Sequence, residues 1–286
     1  MNPKTLYVSD MDGTLLNSQS KLSETTIKAL NEVIEKHHAL FTVATARTPA
    51  TVVPLMKPIN TSLPFIVMAG AAMWDNQLLA YKSVQTIPAN VVEQLSALFT
   101  KHGLHPFIYR QHGNRIHAHH IRQLTSEEEQ FINSRLSTPF KRFILSDSDR
   151  DCTQDECMLI FCMGAFEKLN SLYNQLKSLQ LDCSPVCYHD IINESAGILE
   201  IYAAGTTKAS AIRRLAQETQ ARRIVVFGDN LNDLPMMKEA SYSIAVSNAF
   251  DEVKQEADEI IASNNDDAVA KWILQDIFNN KCKDSF

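Results

Sequence analysis

Two acidic residues stand two positions apart where a short apolar run ends: Leu6-Tyr7-Val8-Ser9 leads into Asp10-Met11-Asp12-Gly13-Thr14. A second pair of carboxylates, in Gly228-Asp229-Asn230-Leu231-Asn232-Asp233, follows another apolar run, Arg223 to Phe227. In a parallel α/β sheet, ligands gather at the carboxyl ends of the strands. Four acids converging on one edge repel one another unless a cation sits among them. An all-oxygen set suits Mg²⁺, which keeps waters and recruits a substrate phosphate. Thr45, after Leu40-Phe41-Thr42-Val43-Ala44, adds a hydroxyl and backbone N–H donors, and Lys208 opens a late helix with a point positive charge. Carboxylate nucleophile, cation, donor hydroxyl and lysine are the parts that phosphoryl transfer requires.

These residues need strands and helices in alternation to meet. Apolar runs at Leu6–Ser9, Leu40–Ala44 and Phe65–Ala69 predict three strands. Between them, Ser23 caps a helix with an apolar stripe at Ile27, Leu30, Val33 and Ile34, and Thr48-Pro49 starts another. The rhythm returns late, with helices over Lys208–Glu218 and Leu234–Ala240, strands over Arg223–Phe227 and Ser243–Val246, and further short elements at Val253–Ala257, Ile260–Ile261 and Val269–Phe278. Continuous apolar strands predict a sheet covered on both faces, and β-α-β order predicts parallel pairing with right-handed crossovers. The stretch from about Ser83 to Ile201 differs. It carries predicted helices at Ala89–His102, Ser126–Leu136 and Ala165–Leu179 among polar loops and strands. The expected fold class is α/β, a doubly wound and mainly parallel Rossmann-like sheet with an inserted α+β module. The core is expected over 1–83 plus 202–286 and the insert over 84–201.

Composition bounds the rest. A chain of 286 residues, 45% hydrophobic and 21% charged, is of ordinary globular make-up and long enough for two domains. Its formal charge of −6 offers no basic footprint for nucleic acid or anionic lipid. The six cysteines include no Cys-x-x-Cys pair, and the first residues form neither a signal peptide nor a membrane span. The expectation is a cytoplasmic protein with reduced thiols, a monomer or small homo-oligomer that binds neither nucleic acid nor membrane. Glycine is scarce: 8 in the whole chain.

The motifs in this order resemble the haloacid dehalogenase superfamily of phosphatases, in its Cof-type branch with a large cap. Asp10–Thr14 matches Asp-x-Asp-Gly-Thr, Thr45-Ala46-Arg47 matches the second motif, Lys208 matches the motif lysine, and Gly228–Asp233 matches the acidic motif. Downstream, Asn248-Ala249, Val253-Lys254, Ala257-Asp258 and Ser263-Asn264 match too. The resemblance implies that Asp10 attacks phosphorus and becomes an aspartyl-phosphate, while Asp12 protonates the leaving oxygen and then activates water. It implies Mg²⁺ on the Asp10 carboxylate, the Asp12 backbone carbonyl and Asp229, with Asp233 nearby through water. It implies phosphate held by Met11, Thr45, Ala46, Lys208 and Asn232, and an inserted cap that reads the leaving group. The expected activity is Mg²⁺-dependent hydrolysis of small phosphorylated metabolites, such as sugar phosphates or phosphorylated cofactors. A phosphosugar mutase and a phosphoacceptor module without turnover are the alternatives. Ala46, Ser247 and Ala268 stand where relatives carry glycine, and Ala69 where they often carry asparagine.

Other features have plainer readings. Tyr109, Arg110 and His112 are read as a solvated strand exit, and His117, His119 and His120 as a wet strand face without a complete ligand set. Asp147–Asp151 is read as a connecting loop, since it lacks the glycine and the bidentate glutamate of a calcium loop. Glu127–Glu129 reads as acid at a helix N-terminus.

Overall fold

The computed structural model describes residues 4–121, 124–146, 156–189 and 195–283. The reading of Asp147–Asp151 as a polar loop falls outside them. The chain opens with β1 (Thr5–Ser9), α1 (Glu24–His37), β2 (Leu40–Val43) and α2 (Pro49–Met56). The Ser23 hydroxyl caps α1 by accepting from the Thr26 N–H at 2.9 Å, and Thr26, Ala29, Leu30 and Val33 turn one face inward. β3 (Phe65–Val67) follows and meets the end of β2 in parallel, as expected, but only through the bridge Ala44↔Ile66. It also pairs antiparallel with β4 (Ala72–Asp75), which continues to β5 (Ala80–Val84). The second pairing follows from the reversal at Met68-Ala69-Gly70, where φ is 49°, 52° and 99°.

Next come α3 (Ala89–Lys101), β6 (Phe107–His112), β7 (Arg115–His120), α4 (Ser126–Asn133), β8 (Lys141–Leu145), β9 (Cys157–Ala165), α5 (Phe166–Leu179), β10 (Cys183–His189) and β11 (Ala196–Ala203). Their strands form one sheet in the order β10-β11-β9-β6-β7-β8, antiparallel except for the parallel pair β7/β8. Val92, Leu95 and Phe99 of α3 and Leu169, Leu172 and Leu176 of α5 pack with Ile160, Leu199 and Ile201 into a separate core. The acidic run behaves as expected at a helix start, with Thr125 and Glu128 forming a reciprocal capping box on α4.

The chain returns through α6 (Lys208–Thr219), β12 (Arg223–Gly228), α7 (Leu234–Glu239), β13 (Tyr242–Val246), α8 (Asp251–Glu256), β14 (Glu259–Ile261) and α9 (Ala268–Lys283). The strands pair as β14-β13-β12-β1-β2, parallel throughout. Two compact units result: residues 1–82 with 207–286, and residues 83–206. The decisive detail in the first is register. Ser9 lies opposite both Phe227 and Val43, so three chemistry-bearing loops leave adjacent strands at one level.

Candidate active site

Asp10 is anchored by its own backbone, which donates to the Phe227 carbonyl at 2.9 Å, while the Ser9 hydroxyl donates to the Asp10 carbonyl at 2.7 Å. From there the chain turns tightly, and the Met11 carbonyl accepts from the Leu15 and Leu16 N–H groups. Gly13 makes the turn possible. Its φ is +82°, and a Cβ there would lie 2.4 Å from an Asp229 carboxylate oxygen. Thr14 then donates to Asp229 at 2.6 Å and fixes that carboxylate.

The buried Lys208 ammonium donates to Asp10 at 2.5 Å and to Asp233 at 2.7 Å. The other Asp233 oxygen accepts from the Asp229 and Asn230 N–H groups, each at 3.1 Å. Oxygens of Asp10, Asp229 and Asp233 lie within 4.8 Å of one another, and among the described residues this is the one group of three or more possible metal ligands drawn so close. The histidines at 117, 119 and 120 form no such group. His117 instead stacks on His112 with ring centroids 4.5 Å apart.

Electrostatics follow from three buried acids facing one ammonium. Burial pushes the Asp10 carboxyl above its usual range, with Lys208 pulling against it. Burial also pushes Asp229 up to about 6, against its bond from Thr14. For Lys208, burial acts downward but the two carboxylates outweigh it and raise the ammonium. Set between two carboxylates, the ammonium gives both Asp10 and Asp233 a charged partner. A net negative charge still remains, in a set made only of hard oxygens, and a divalent cation such as Mg²⁺ fits that set.

The other residues singled out by sequence take distinct places. Thr45 is buried, receives the Arg47 N–H on its hydroxyl at 3.1 Å, and donates its own N–H to Ile66 at 3.0 Å. Ala46 is half-buried in the same loop and keeps a negative φ, so alanine is tolerated at a usual glycine position. Ser247 and Ala268 likewise avoid positive φ, whereas Ala69 does not. The Met11 side chain is buried in the core, so only its backbone faces the loop. Asn232 is exposed on the short turn ending at Asp233. The Asp12 side chain stands outside the carboxylate cluster and pairs with Arg47.

Three supports were invisible as supports in the sequence. Asn248 donates to the Gly13 carbonyl at 2.8 Å, Asn264 donates to the Leu16 carbonyl at 2.8 Å, and the Asn264 N–H donates to Asn248 at 3.0 Å. Together they brace the loop after β1 from across the sheet. Arg47 is the third support. Asn248, Asn264 and Arg47 all lie in matched motif stretches, but spacing alone does not reveal their partners.

Comparison with known proteins agrees with this architecture. The family model for haloacid dehalogenase-like hydrolases matches residues 7–273. A Bacillus subtilis relative, 5-amino-6-(5-phospho-D-ribitylamino)uracil phosphatase YcsE, is 26% identical over 277 residues, covering 94% of this chain and 96% of its own. Pyridoxal phosphate phosphatase YbhA of Escherichia coli is 24% identical, covering 92% and 95%. The crystal structure of a haloacid dehalogenase-like hydrolase from Bacteroides thetaiotaomicron superposes with a TM-score of 0.76 at 22% identity, covering 96% of this chain and 99% of that one. The chain belongs to the haloacid dehalogenase-like hydrolases and is an enzyme of their phosphatase kind.

Proposed function

We propose that this protein is a Mg²⁺-dependent phosphatase of small phosphorylated metabolites, working through an aspartyl-phosphate on Asp10. The observation that carries the reading is the buried Asp10–Lys208–Asp233 chain beside Asp229. Asp10, Asp229 and the Asp12 carbonyl would hold the cation, with Asp233 close by. When bound, Mg²⁺ screens the phosphate from the carboxylates and stabilises charge on the transferring group. Thr45, the loop N–H groups of Met11 and Ala46, Asn232 and Lys208 hold the phosphoryl oxygens. Asp10 attacks phosphorus as the ester oxygen leaves with a proton from Asp12. Asp12, now a carboxylate, takes a proton from water as that water attacks the aspartyl-phosphate, which releases phosphate and restores Asp10.

The substrate class rests on the two named relatives, one acting on a phosphoribitylaminouracil and one on pyridoxal phosphate. We assign substrate selection to the unit of residues 83–206. Purified protein is expected to release phosphate from an aryl phosphate with Mg²⁺ and not in excess chelator, and Asp10→Asn is expected to be inactive while folded. Activity that persists in chelator or in Asp10→Asn overturns the mechanism. An isomeric phosphosugar accumulating without free phosphate points to a mutase, and a stable aspartyl-phosphate without turnover points to a phosphoacceptor module.

A further inference from the structure

The Arg47 guanidinium grips Asp12 as a fork. Nε donates to one carboxylate oxygen and Nη2 to the other, each at 2.6 Å. The Asp12 side chain is 50% exposed and that of Arg47 26%, and an ion pair so open to water adds little to fold stability. Yet both ends are built with care. The Arg47 N–H donates to the Thr45 hydroxyl, and its carbonyl accepts from the Met68 N–H at 2.9 Å, which ties this residue to two neighbouring strand ends. Asp12 sits in the tight turn that Asn248 and Asn264 brace. A paired fork fixes a carboxylate in plane as well as in place, which a single point charge cannot do.

We infer that Arg47 is a positioning residue that sets the orientation of the Asp12 carboxylate toward the oxygen leaving the phosphoryl group. This rests on the reading of Asp12 as acid and base given above. Each Asp12 oxygen accepts one N–H and keeps a second lone pair, so the carboxyl can carry the proton destined for the leaving oxygen on the side the fork leaves open. The fork keeps that side aimed. Such aim matters in proportion to how much the leaving group needs a proton. Alkyl oxygens need it, whereas a dinitrophenolate departs readily as an anion.

The test compares Arg47→Lys, which keeps the charge and loses the fork, with Arg47→Ala. Both are assayed with an alkyl phosphate and with 2,4-dinitrophenyl phosphate in saturating Mg²⁺, alone and in an Asp12→Asn background. Since kcat/KM reports the step in which the ester bond breaks, both variants should lose about tenfold or more on the alkyl ester, a fraction of the 10²–10⁴ typical of general acid catalysis, and less than about twofold on the dinitrophenyl ester. In the Asp12→Asn background the further loss should be under about twofold on either ester. Equal losses on both esters, or a full additional loss in the double variants, overturn the inference. Nitrogen NMR supplies a readout that needs no turnover: the Arg47 Nε–H should be exchange-protected in wild type and lose that protection in Asp12→Asn. An unprotected Nε–H in wild type overturns it too. Absence of all phosphatase activity in the wild type, with the NMR signature intact, would instead strike the functional reading and leave the fork standing.

Discussion

At the scale of single residues, the site is assembled from groups whose freedom has been removed one at a time. Ala69 shows what that removal costs. It holds φ at 52° between Met68 and Gly70, and its N–H donates to the Thr45 carbonyl at 2.9 Å. A left-handed alanine is disfavoured by roughly 1–2 kcal/mol, whereas asparagine tolerates the region. Ala69→Asn is therefore expected to stabilise the protein by about 0.5–1 kcal/mol in urea unfolding. Asn264 runs the other way. Its side chain is buried and satisfies the Leu16 carbonyl, so Asn264→Ala should destabilise by about 1–3 kcal/mol and lower kcat, both measured on the same preparation. The sequence makes Asp10, Asp229, Thr45 and Lys208 legible because strand ends in a parallel sheet leave few places for such residues to go. It leaves the Asn248–Gly13 and Arg47–Asp12 contacts unread, because each joins a side chain to a loop far along the chain, and no periodicity encodes that.

At the scale of elements, local pattern carries helices well and sheet membership poorly. The elements of the returning half lie close to where their apolar spacing puts them, and α9 goes on to Lys283, beyond the expected end at Phe278. The run Phe65–Ala69 reads as one more parallel strand and does meet the end of β2 in parallel, but the left-handed turn ends it at Val67, and nothing in the run announces its second, antiparallel pairing with β4. The sheet of residues 83–206 holds a further surprise in Glu200 and Lys141. Both are buried: Glu200 accepts from Tyr202 at 2.9 Å, and Lys141 donates to the Tyr109 hydroxyl at 2.6 Å with its ammonium 4.2 Å from that ring's centre. Burial pushes Glu200 up to about 7 and Lys141 down to about 7. A carboxyl raised in the folded state favours folding below its unfolded value, and that advantage fades as pH rises through 7. A lysine lowered in the folded state favours folding at high pH, and that advantage is lost as pH falls from its unfolded value toward 7. The two windows meet near pH 7 without overlapping, so on their account wild type should lose stability from pH 5 to 7 and regain it above 7. Glu200→Gln isolates the first limb. It should be more stable than wild type by about 2 kcal/mol at pH 8 and nearly equal to it at pH 5, by urea titration at both.

At the scale of the whole molecule, the two units carry separate cores, and every oxygen of the proposed cation site belongs to the first. Calorimetry should accordingly resolve more than one transition. Mg²⁺ at a hundredfold excess over its dissociation constant should stabilise only the transition of the first unit, by about 2.7 kcal/mol, and Asp229→Asn should erase that increment. No helix among the described residues is long and apolar enough to cross a membrane.

The strand order sets a timetable for synthesis. β1, made before the other strands of its sheet, lies inside that sheet between β2 and β12, and β12 begins only at Arg223. The unit of residues 83–206 is complete before that strand exists, so on the ribosome the guest can close its core while the host still waits for half of its sheet. Asp10 leaves the ribosome near the beginning and Lys208, Asp229 and Asp233 near the end, which keeps a half-made chain catalytically silent. A stall between Thr206 and Arg223 yields a complete insert attached to a β1–β2 pair whose inner edge is still open, the species most exposed to misassembly in the life of this chain.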